Sequence, residues 1–372
     1  MPSAPTITDE EVPKHLQVRA SLMEAIRAGE FAPGEQLPSE RDVAARYGVS
    51  YMTARRAITE MVEADLLERR PNIGTFVRSH GSRRLAAATV NLIYPLQQSS
   101  FGDQFLQSAI MGTQKRGWHY HLIPLQTGRE RSAVRALESG EPAILMTPGL
   151  KEDSPLYQAV ARAQGRAVTI GSQLENHEAP AVMADDTRGM RLIMEHLRGA
   201  GHRAIGYITK SLGHPIEEER IATWKECCSP ALTPAQIERR LIVLRDLKPT
   251  AEASHTHLIY AAMCKELARP ELDVTALICS GDSTVLATLA ACRQNGYDVP
   301  AQMSVVTIGD GMAIEFHNPP ITCVDVHVGR HVETALEIIE AALQGSPSAE
   351  MLHIVEPTLI ERGTVAAPRV SP

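Results

Sequence analysis

The 372-residue chain lacks the features of secreted, membrane-bound and metal-binding proteins. Its first residues carry neither a basic nor an apolar segment, so they do not resemble a secretory signal. No apolar run approaches the ~20 residues of a membrane-spanning helix. The six cysteines lie between Cys227 and Cys323, and none has the CxxC spacing of a zinc or redox motif. We therefore expect a cytoplasmic protein with reduced thiols, no cofactor and no metal site.

Motifs of familiar enzyme classes are also missing. The chain has no GxSxG, no HExxH, no Walker loop, and no GxGxxG between a strand and a helix. Two histidine pairs, His119 with His121 and His255 with His257, have a spacing that suits a metal, but no third ligand with suitable spacing accompanies either. The sequence therefore offers no catalytic group by motif.

Positive charge is concentrated in one segment although the net charge of the chain is −7. From residue 41 to residue 84, nine arginines stand against five acidic residues. A local excess of this kind is expected where a small module meets phosphate groups. The overall negative charge excludes a globally basic protein.

The same segment predicts two helices joined by a tight turn. Ser39 is a good N-cap for a helix over residues 40–47, and Gly48 ends that helix. Ser50 caps a second helix over about 51–64. In that second helix one apolar stripe must pack inward, and it consists of Ala54, Ile58, Met61 and Val62. The opposite face of its first turns shows Tyr51, Met52, Thr53, Arg55 and Arg56.

A two-stranded wing follows the second helix. Residues 67–70 and 75–77 alternate as strands, and residues 71–74 form the turn between them. At this point the sequence resembles the GntR-type winged-helix regulators over about residues 12–78. The matching motifs are LPSER at 37–41, GVS at 48–50, Thr53, Arg55 and GTFV at 74–77. Two positions depart from that pattern, because Tyr51 replaces an arginine and Asn72 a glycine.

The resemblance implies that residues 1–78 form a DNA-binding domain. Its second helix would enter the major groove, Arg41 and Arg55 would bind base edges or phosphates, and Arg55 is the better candidate for guanine. Ser50 and Thr53 would contact phosphate. The implied DNA-binding residues are Ser39, Arg41, Ser50, Tyr51, Met52, Thr53, Arg55, Arg56, Asn72 and Gly74. Two arginines on an amphipathic helix would, taken alone, more often form a solvated face.

Residues 79–88 are small, polar and basic, as in a linker. From residue 89 onward, short apolar runs alternate with helical patterns, which predicts a parallel sheet with helices on both faces. The predicted strands are residues 89–94, 119–125, 143–146, 167–170, 181–184, 204–208, 241–244, 276–279, 305–308, 321–324 and about 353–355. The pattern runs through two cycles, so we expect two α/β lobes and a ligand in the cleft between them.

A second resemblance covers about residues 89–363. Residues 186–208, Arg220 with Trp224, and the closing PTLIER at 357–362 resemble the effector domain of LacI/GalR-type regulators. A GntR-type reader joined to such a periplasmic-binding-protein-like sensor is the arrangement of arabinose-repressor-like regulators. It implies an effector and dimerisation domain over 89–372. We expect one lobe over about 89–201 and 326–344, and the other over about 202–325 and 345–365.

The resemblance also suggests residues that bind the effector. Asp186 and Arg220 match its binding positions directly, although Asp186 could instead cap a helix and Arg220 could pair with the neighbouring glutamates 217–219. For Asp282, a role as a helix cap is at least as plausible as binding the effector. The resembling family often has two acids after the strand at 305–308, and here only Asp310 is present. Tyr94 and Phe101 are candidates either for the wall of the binding site or for the core. Gly281 and Gly309 replace polar residues that usually bind sugar hydroxyls, which points to an unusual ligand or to other binding groups.

We therefore predict a sequence-specific DNA-binding regulator, a repressor, that acts as a homodimer on a palindromic operator. Its operator affinity would respond to a small, sugar-like effector in the cleft. The alternative is an enzyme, a hydrolase or transferase, that uses the cleft as its active site.

Overall fold

The computed structural model describes residues 13–27, 30–32, 34–63, 66–70, 73–77, 88–96, 99–126, 130–147, 149–150, 152–163, 165–174, 179–210, 214–229, 232–245, 247 and 254–368. The chain divides into two compact units, Met1–Ala88 and Thr89–Pro372. Asn72 and nearly all of the predicted linker, residues 79–87, lie outside the described residues. No helix in the described part of the chain has both the length and the apolar character needed to cross a bilayer.

The described part of the first unit contains three helices and a two-stranded antiparallel ribbon, which are α1 (Lys14–Arg27), α2 (Glu40–Tyr47), α3 (Tyr51–Glu63), β1 (Leu67–Arg70) and β2 (Gly74–Val77). Local signals explain the bounds of α2. The Ser39 hydroxyl and the Asp42 carboxylate satisfy each other's backbone N–H groups in a capping box, and Gly48 ends the helix with a left-handed φ of 63°. The winged helix-turn-helix prediction is confirmed.

A small apolar core holds this unit together. Ala54, Ile58 and Met61 of α3 are 1% exposed or less, as the predicted stripe requires, while Val62 is half-buried. They pack with Val18 and Leu22 of α1. Burying a side chain the size of Ile58 or Met61 stabilises a fold by about 1.5–3 kcal/mol, so the stripe fixes which face of α3 remains exposed.

The second unit begins with alternating strands and helices, which are β3 (Thr89–Pro95), α4 (Ser100–Lys115), β4 (His119–Leu125), α5 (Arg131–Glu138), β5 (Ala143–Met146), α6 (Pro155–Arg162), β6 (Ala167–Ile170) and β7 (Ala181–Ala184). The middle of the chain supplies α7 (Asp186–Gly199), β8 (Ile205–Thr209), α8 (Pro215–Cys228), α9 (Pro234–Arg240), β9 (Leu241–Val243), α10 (His255–Leu267), β10 (Ala276–Cys279), α11 (Asp282–Gln294), β11 (Ser304–Ile308), α12 (Met312–Glu315) and β12 (Thr322–Asp325). The remaining elements are α13 (Val328–Leu343), β13 (Leu352–Val355) and β14 (Thr358–Ile360).

These strands form two six-stranded sheets, one per lobe. The order in the first lobe is β13-β7-β6-β5-β3-β4, and every pair is parallel. The order in the second lobe is β14-β12-β11-β10-β8-β9, with β14 antiparallel to β12 and the other pairs parallel. Central strands such as β5, β10 and β11 are buried along their whole length, because helices cover both faces. The predicted bilobed α/β fold is confirmed.

The predicted lobe boundaries are wrong at two places. Helix α7 was expected in the first lobe but packs on α8, β12 and β14 of the second, and a Cβ at Gly189 would lie 3.4 Å from Val324. Strand β13 was expected in the second lobe but pairs with β7 in the first. The chain therefore crosses between lobes after β7, after β12 and after β13. Elements α9, α12 and β14 were not predicted, because elements of three to seven residues give little periodic signal.

Candidate DNA-binding surface and effector cavity

Helix α3 exposes most residues of its first two turns. Tyr51 is 42% exposed and Met52 66%, and Arg55 and Arg56 are also exposed. Ala54 lies between them and is fully buried, which anchors the helix to the core. An exposed N-terminal end of the second helix is the part that helix-turn-helix proteins place in the major groove.

The arginines of this unit differ in whether a carboxylate holds them. Among the described residues four arginines are in ion pairs, and these are Arg46–Glu30, Arg56–Glu60, Arg69–Glu40 and Arg70–Glu68. Arg41 and Arg55 are exposed and have no ion-pair partner among the residues that the structure describes. Their guanidinium groups can therefore bind a phosphate or a guanine without first leaving another group. Arg56 would have to leave Glu60, 3.1 Å away, or contact DNA beside it.

Three hydroxyls predicted to lie at the DNA surface have intramolecular roles. Ser39 caps α2, and its hydroxyl donates to Asp42 Oδ2 at 2.6 Å. Ser50 Oγ accepts from the Thr53 backbone N–H at 3.2 Å and lies 2.8 Å from Thr53 Oγ1. Ser39 and Ser50 remain exposed, so the same groups can also meet a phosphate at a helix N-terminus.

Gly74 shapes the described part of the wing. Its φ is 149°, and a Cβ there would collide with the side-chain amide of Gln36. That amide donates to the Ile73 carbonyl at 2.9 Å, while Ile73 is 65% exposed at the tip. Glycine is therefore required so that Gln36 can brace the tip. Sequence reasoning missed Gln36, because its partner lies 37 residues away.

A groove of about 660 Å³ runs beside the exposed end of α3. His15 of α1 lines it together with Met52, Arg55 and Arg56. His15 Nε2 lies 3.4 Å from Glu60 Oε1, the oxygen that also pairs with Arg56. Glu60 thus holds side chains from two helices at the edge of this surface, and neither His15 nor Glu60 belonged to the predicted set.

A cavity of about 200 Å³ lies between the two lobes of the sensor unit. Its lining from the first lobe comes mainly from the N-terminus of α4, and the second lobe contributes the segments that follow β8, β10 and β11. The lining residues are Ser99, Ser100, Phe101, Gln104, Lys210, Arg220, Ser280, Gly281, Asp282, Ile308, Gly309, Asp310, Val326 and Val328. The carboxyl ends of parallel strands meet at this edge, as expected for a ligand site in an open α/β sheet.

Four of the six predicted effector residues line the cavity: Phe101, Arg220, Asp282 and Asp310. Asp186 lies behind Arg220, and Tyr94 is half-buried at the end of β3 and is not among the residues lining the cavity. Phe101 packs edge-on against His331 with ring centroids 6.4 Å apart. It therefore acts as a packed wall whose other face meets the cavity.

Arg220 is held by buried acids. Its Nε and Nη2 each lie 2.6 Å from Asp186 Oδ1, and its Nη1 lies 3.7 Å from Glu217 Oε2. Burial opposes the charged form, but the acids outweigh it, chiefly Asp186, and raise the pKa of Arg220 above its usual value. Asp186 is not the helix cap, because Asp185 caps α7 by accepting from the Arg188 N–H at 2.7 Å. Asp186 thus positions Arg220 in the cavity wall.

The two acids of the lining are engaged differently. Asp310 accepts from Arg362 through both carboxylate oxygens, at 2.9 and 2.8 Å, and although burial works against ionisation this pair lowers the pKa of Asp310. Asp282 is the first residue of α11, with Gly281 at the cap position. Its Oδ2 accepts from the Ser100 N–H at 2.8 Å and the Ser100 hydroxyl at 2.7 Å. Since Ser100 belongs to the first lobe, Asp282 joins the lobes across the cavity.

The sequence reasoning missed several lining residues. Lys210 directly follows β8 and donates to Ser283 Oγ at 2.9 Å. Gln104 donates to the Asp310 carbonyl, which is a second contact between lobes. Ser280 Oγ is buried and has no hydrogen-bond partner within the described residues. Lys210 and Ser280 both follow buried strands directly, so inspecting every strand end would have found them.

Two glycines leave room in the cavity wall. A Cβ built at Gly281 or at Gly309 would meet no atom within 4 Å. A larger side chain could therefore occupy position 281, whereas the left-handed φ of 97° at Gly309 favours glycine there. Both glycines leave the cavity without a hydrogen-bonding side chain at these points.

The sequence matches the profile of bacterial regulatory proteins of the gntR family over residues 14–77. It matches the profile of the periplasmic binding protein-like domain over residues 194–365. Both domains predicted from the sequence patterns are therefore present, in the predicted order.

Relatives resemble the chain over most of its length. An HTH-type transcriptional regulator of Streptomyces lividans is 25% identical, with 88% of this chain and 96% of the relative covered. The arabinose metabolism transcriptional repressor of Geobacillus stearothermophilus is 23% identical, with 92% and 91% covered. A LacI family transcriptional regulator from Enterococcus faecium, solved with bound ribose, has a TM-score of 0.63 at 17% identity and covers 76% of this chain and all of that one. The solved structure supports the sensor fold.

Proposed function

We propose that this chain, a GntR-type helix-turn-helix domain followed by a periplasmic-binding-protein-like domain, is a transcriptional repressor controlled by a small carbohydrate-like effector. The first unit would bind an operator, and the cavity between the sensor lobes would bind the effector. The observation that carries the proposal is the pairing of an exposed α3 end, where Arg55 has no carboxylate partner within the described residues, with a polar cavity at the strand ends of the second unit.

In the DNA complex, Arg55 is the side chain to read a base, most simply a guanine through two parallel hydrogen bonds. Arg41, at the exposed start of α2, would bind a phosphate. The N-termini of α2 and α3, capped by Ser39 and Ser50, would meet the backbone. Tyr51, Met52, Thr53 and Arg56 complete the surface of α3, and Asn72 and Gly74 would place the wing beside the adjacent groove.

In the sensor, Arg220 and Asp282 would bind polar groups of the effector while Phe101 covers an apolar face of it. The cavity of about 200 Å³ is smaller than the ~300–1,000 Å³ of sites for drug-sized ligands. This size favours a monosaccharide-sized ligand over a disaccharide. A protein of the same fold was solved with bound ribose, which is a monosaccharide.

The effector would act through the lobes that it touches. Ser100 and Gln104 of the first lobe already donate to Asp282 and to the Asp310 carbonyl of the second. A ligand that binds the same groups changes how the lobes are joined, and the three chain crossings form the hinge about which the lobes would move relative to each other. Operator affinity would then follow the arrangement of the lobes.

The regulator would act as a homodimer on a palindromic operator, since a twofold axis in the protein matches two half-sites in DNA. Met312 and Phe316, at α12 in the second lobe, are 79% and 76% exposed. Exposed apolar side chains of this size, one helical turn apart, are suited to contact a second copy.

The alternative of an enzyme has less support. The relatives that cover most of the chain are transcriptional regulators. Arg220 and Asp310 are each held by an intramolecular ion pair, which suits groups that bind or position a ligand. No relative named above is an enzyme.

The proposal is tested by in vitro selection. The full-length protein would be used to enrich binding sites from a pool of random DNA duplexes, and binding to the enriched sequence would be measured by fluorescence anisotropy with and without a panel of sugars. We expect an inverted repeat and a change of affinity with at least one sugar or sugar derivative. Failure to enrich any sequence would contradict the DNA-binding proposal, and an enriched operator that no member of the panel affects would contradict the effector proposal.

A further inference from the structure

Lys210 is the cavity residue whose charge is least satisfied. Its ammonium group donates to the Ser283 hydroxyl at 2.9 Å. Within the described residues, no carboxylate lies within 4.0 Å of it. An ammonium carries three donors, so two remain for another partner. Burial lowers the pKa of Lys210 although Asp282 and Glu217 act in the opposite sense, which shows that the charged form lacks full compensation.

The other charged groups of the cavity are compensated by direct contacts. Arg220 is bound by Asp186, and Asp310 is bound through both oxygens by Arg362. Asp282 accepts two hydrogen bonds from Ser100 and lies at the positive N-terminal end of α11. An anionic group of a ligand would therefore form an ion pair with Lys210.

The cavity that contains Lys210 also holds a polar group whose hydrogen-bonding capacity is unused within the described residues. Ser280 has a buried hydroxyl without a partner in the described part of the chain. Gly281 and Gly309 contribute no side-chain acceptor and leave open space. Donors without partners in a closed cavity are costly, so a suitable ligand must supply acceptor oxygens. Oδ1 of Asp282 accepts no hydrogen bond from the described residues, so it can accept one from a hydroxyl of the same ligand.

We infer that the effector is a monosaccharide-sized compound bearing a carboxylate or a phosphate group, and that Lys210 binds this group. The inference rests on the proposed function, because it takes the cavity as the effector site. A neutral sugar could accept a hydrogen bond from Lys210, but it would leave the ammonium charge uncompensated when the cleft closes. A sugar acid or a sugar phosphate provides the missing charge and keeps hydroxyls for Asp282 and Arg220.

The experiment compares matched ligands on the full-length protein by isothermal titration calorimetry. Each set contains a neutral aldose, the corresponding sugar acid and the corresponding phosphate ester, for a pentose series and two hexose series. For wild type we expect one of the two anionic forms to bind at least about tenfold more tightly than the neutral sugar, since a hydrogen bond between charged groups has about this effect. The acid and ester arms then distinguish a carboxylate from a phosphate.

Variants at Lys210 assign the preference to this side chain. We expect Lys210→Gln to reduce affinity for the anion by about 10- to 100-fold while leaving affinity for the neutral sugar within about twofold. Lys210→Arg should keep most of the preference, because it keeps the charge. Lys265→Gln, at an exposed lysine of α10, is the matched control and should bind like wild type.

The outcomes separate this inference from the proposed function. Equal or tighter binding of the neutral sugars, or no binding of any anionic probe, overturns the inference. A preference for anions that survives in Lys210→Gln also overturns the assignment to Lys210. In each of these cases operator binding by the same preparations tests the regulator proposal independently, because Lys210 lies in the sensor and the selected DNA binds the first unit.

Discussion

Replacing Arg55 by alanine should weaken specific operator binding by about 1–3 kcal/mol, which is about 5- to 150-fold in Kd. The magnitude follows from the structure, because the Arg55 guanidinium has no ion-pair partner within the described residues. Within the described residues, its side chain has no hydrogen bond or ion pair to break when it binds DNA or to lose when it is removed. The folded state should therefore be unaffected, with unfolding free energy within about 0.5 kcal/mol of wild type.

Arg56→Ala is the matched comparison on the next residue of the same helix. Arg56 pairs with Glu60 at i,i+4, an interaction of about 0.3–0.5 kcal/mol that must be given up or shared when DNA binds. We expect Arg56→Ala to cost less specific affinity than Arg55→Ala and to weaken specific and random duplexes alike.

The assay is fluorescence anisotropy with the selected operator and with a random duplex, at several salt concentrations. A base contact by Arg55 lowers the ratio of specific to random affinity, whereas a phosphate contact lowers both and reduces the salt slope by about 1. Operator affinity of Arg55→Ala within about twofold of wild type, together with a larger loss for Arg56→Ala, would refute the reasoning from free and paired arginines.

Three further predictions concern stability and assembly. Gly74→Ala should destabilise the wing by about 1–3 kcal/mol, because φ is 149° and the new methyl collides with Gln36, and a lower melting temperature of the isolated 1–88 segment or reduced operator affinity would be the readout. Burial lowers the pKa of four histidines in the described part of the sensor unit, so their stabilisation is complete above about pH 6.5 and is lost as pH falls below it; the urea midpoint should be lower at pH 5.5 than at pH 7.5, and this difference should be smaller for His202→Gln. The four are His202, His214, His255 and His331. Phe316→Glu should convert a dimer to a monomer in sedimentation velocity at micromolar concentration, while the neighbouring Glu315→Gln should not.

Local signals in the sequence predicted most elements to within a few residues. Ser39, Gly48 and Ser50 placed α2 at its observed bounds and the start of α3 at Tyr51. Strands such as Ala143–Met146 and Ala276–Cys279 were recognisable because a buried parallel strand is a short continuous apolar run. Which lobe an element joins was harder to predict. α7 and β13 have the pattern of any amphipathic helix or short strand, and their assignment depends on partners far away in the chain.

The candidate sites show the same division. Residue type and strand position were enough to select Arg220 and Asp282 for the cavity. They could not show that Arg362, 52 residues away, occupies both oxygens of Asp310, or that Ser100, 182 residues away, occupies one oxygen of Asp282. The sequence does not single out Lys210, because an isolated lysine carries no motif. Its role is inferred from the absence of a neighbouring carboxylate among the described residues.

Asp282 connects the cavity to the arrangement of the two sensor lobes. It stands in the second lobe, and its Oδ2 accepts two hydrogen bonds from Ser100 of the first lobe. A ligand that donates a hydrogen bond to Oδ1 leaves the contact between Asp282 and Ser100 intact and favours the closed arrangement of the lobes. A ligand that displaces Ser100 from Oδ2 replaces the direct contact between the lobes by one that runs through the ligand. A ligand shifts the lobes only by the difference in its affinity for the two arrangements. The sign of regulation therefore depends on which of these two contacts the effector makes at a single carboxylate.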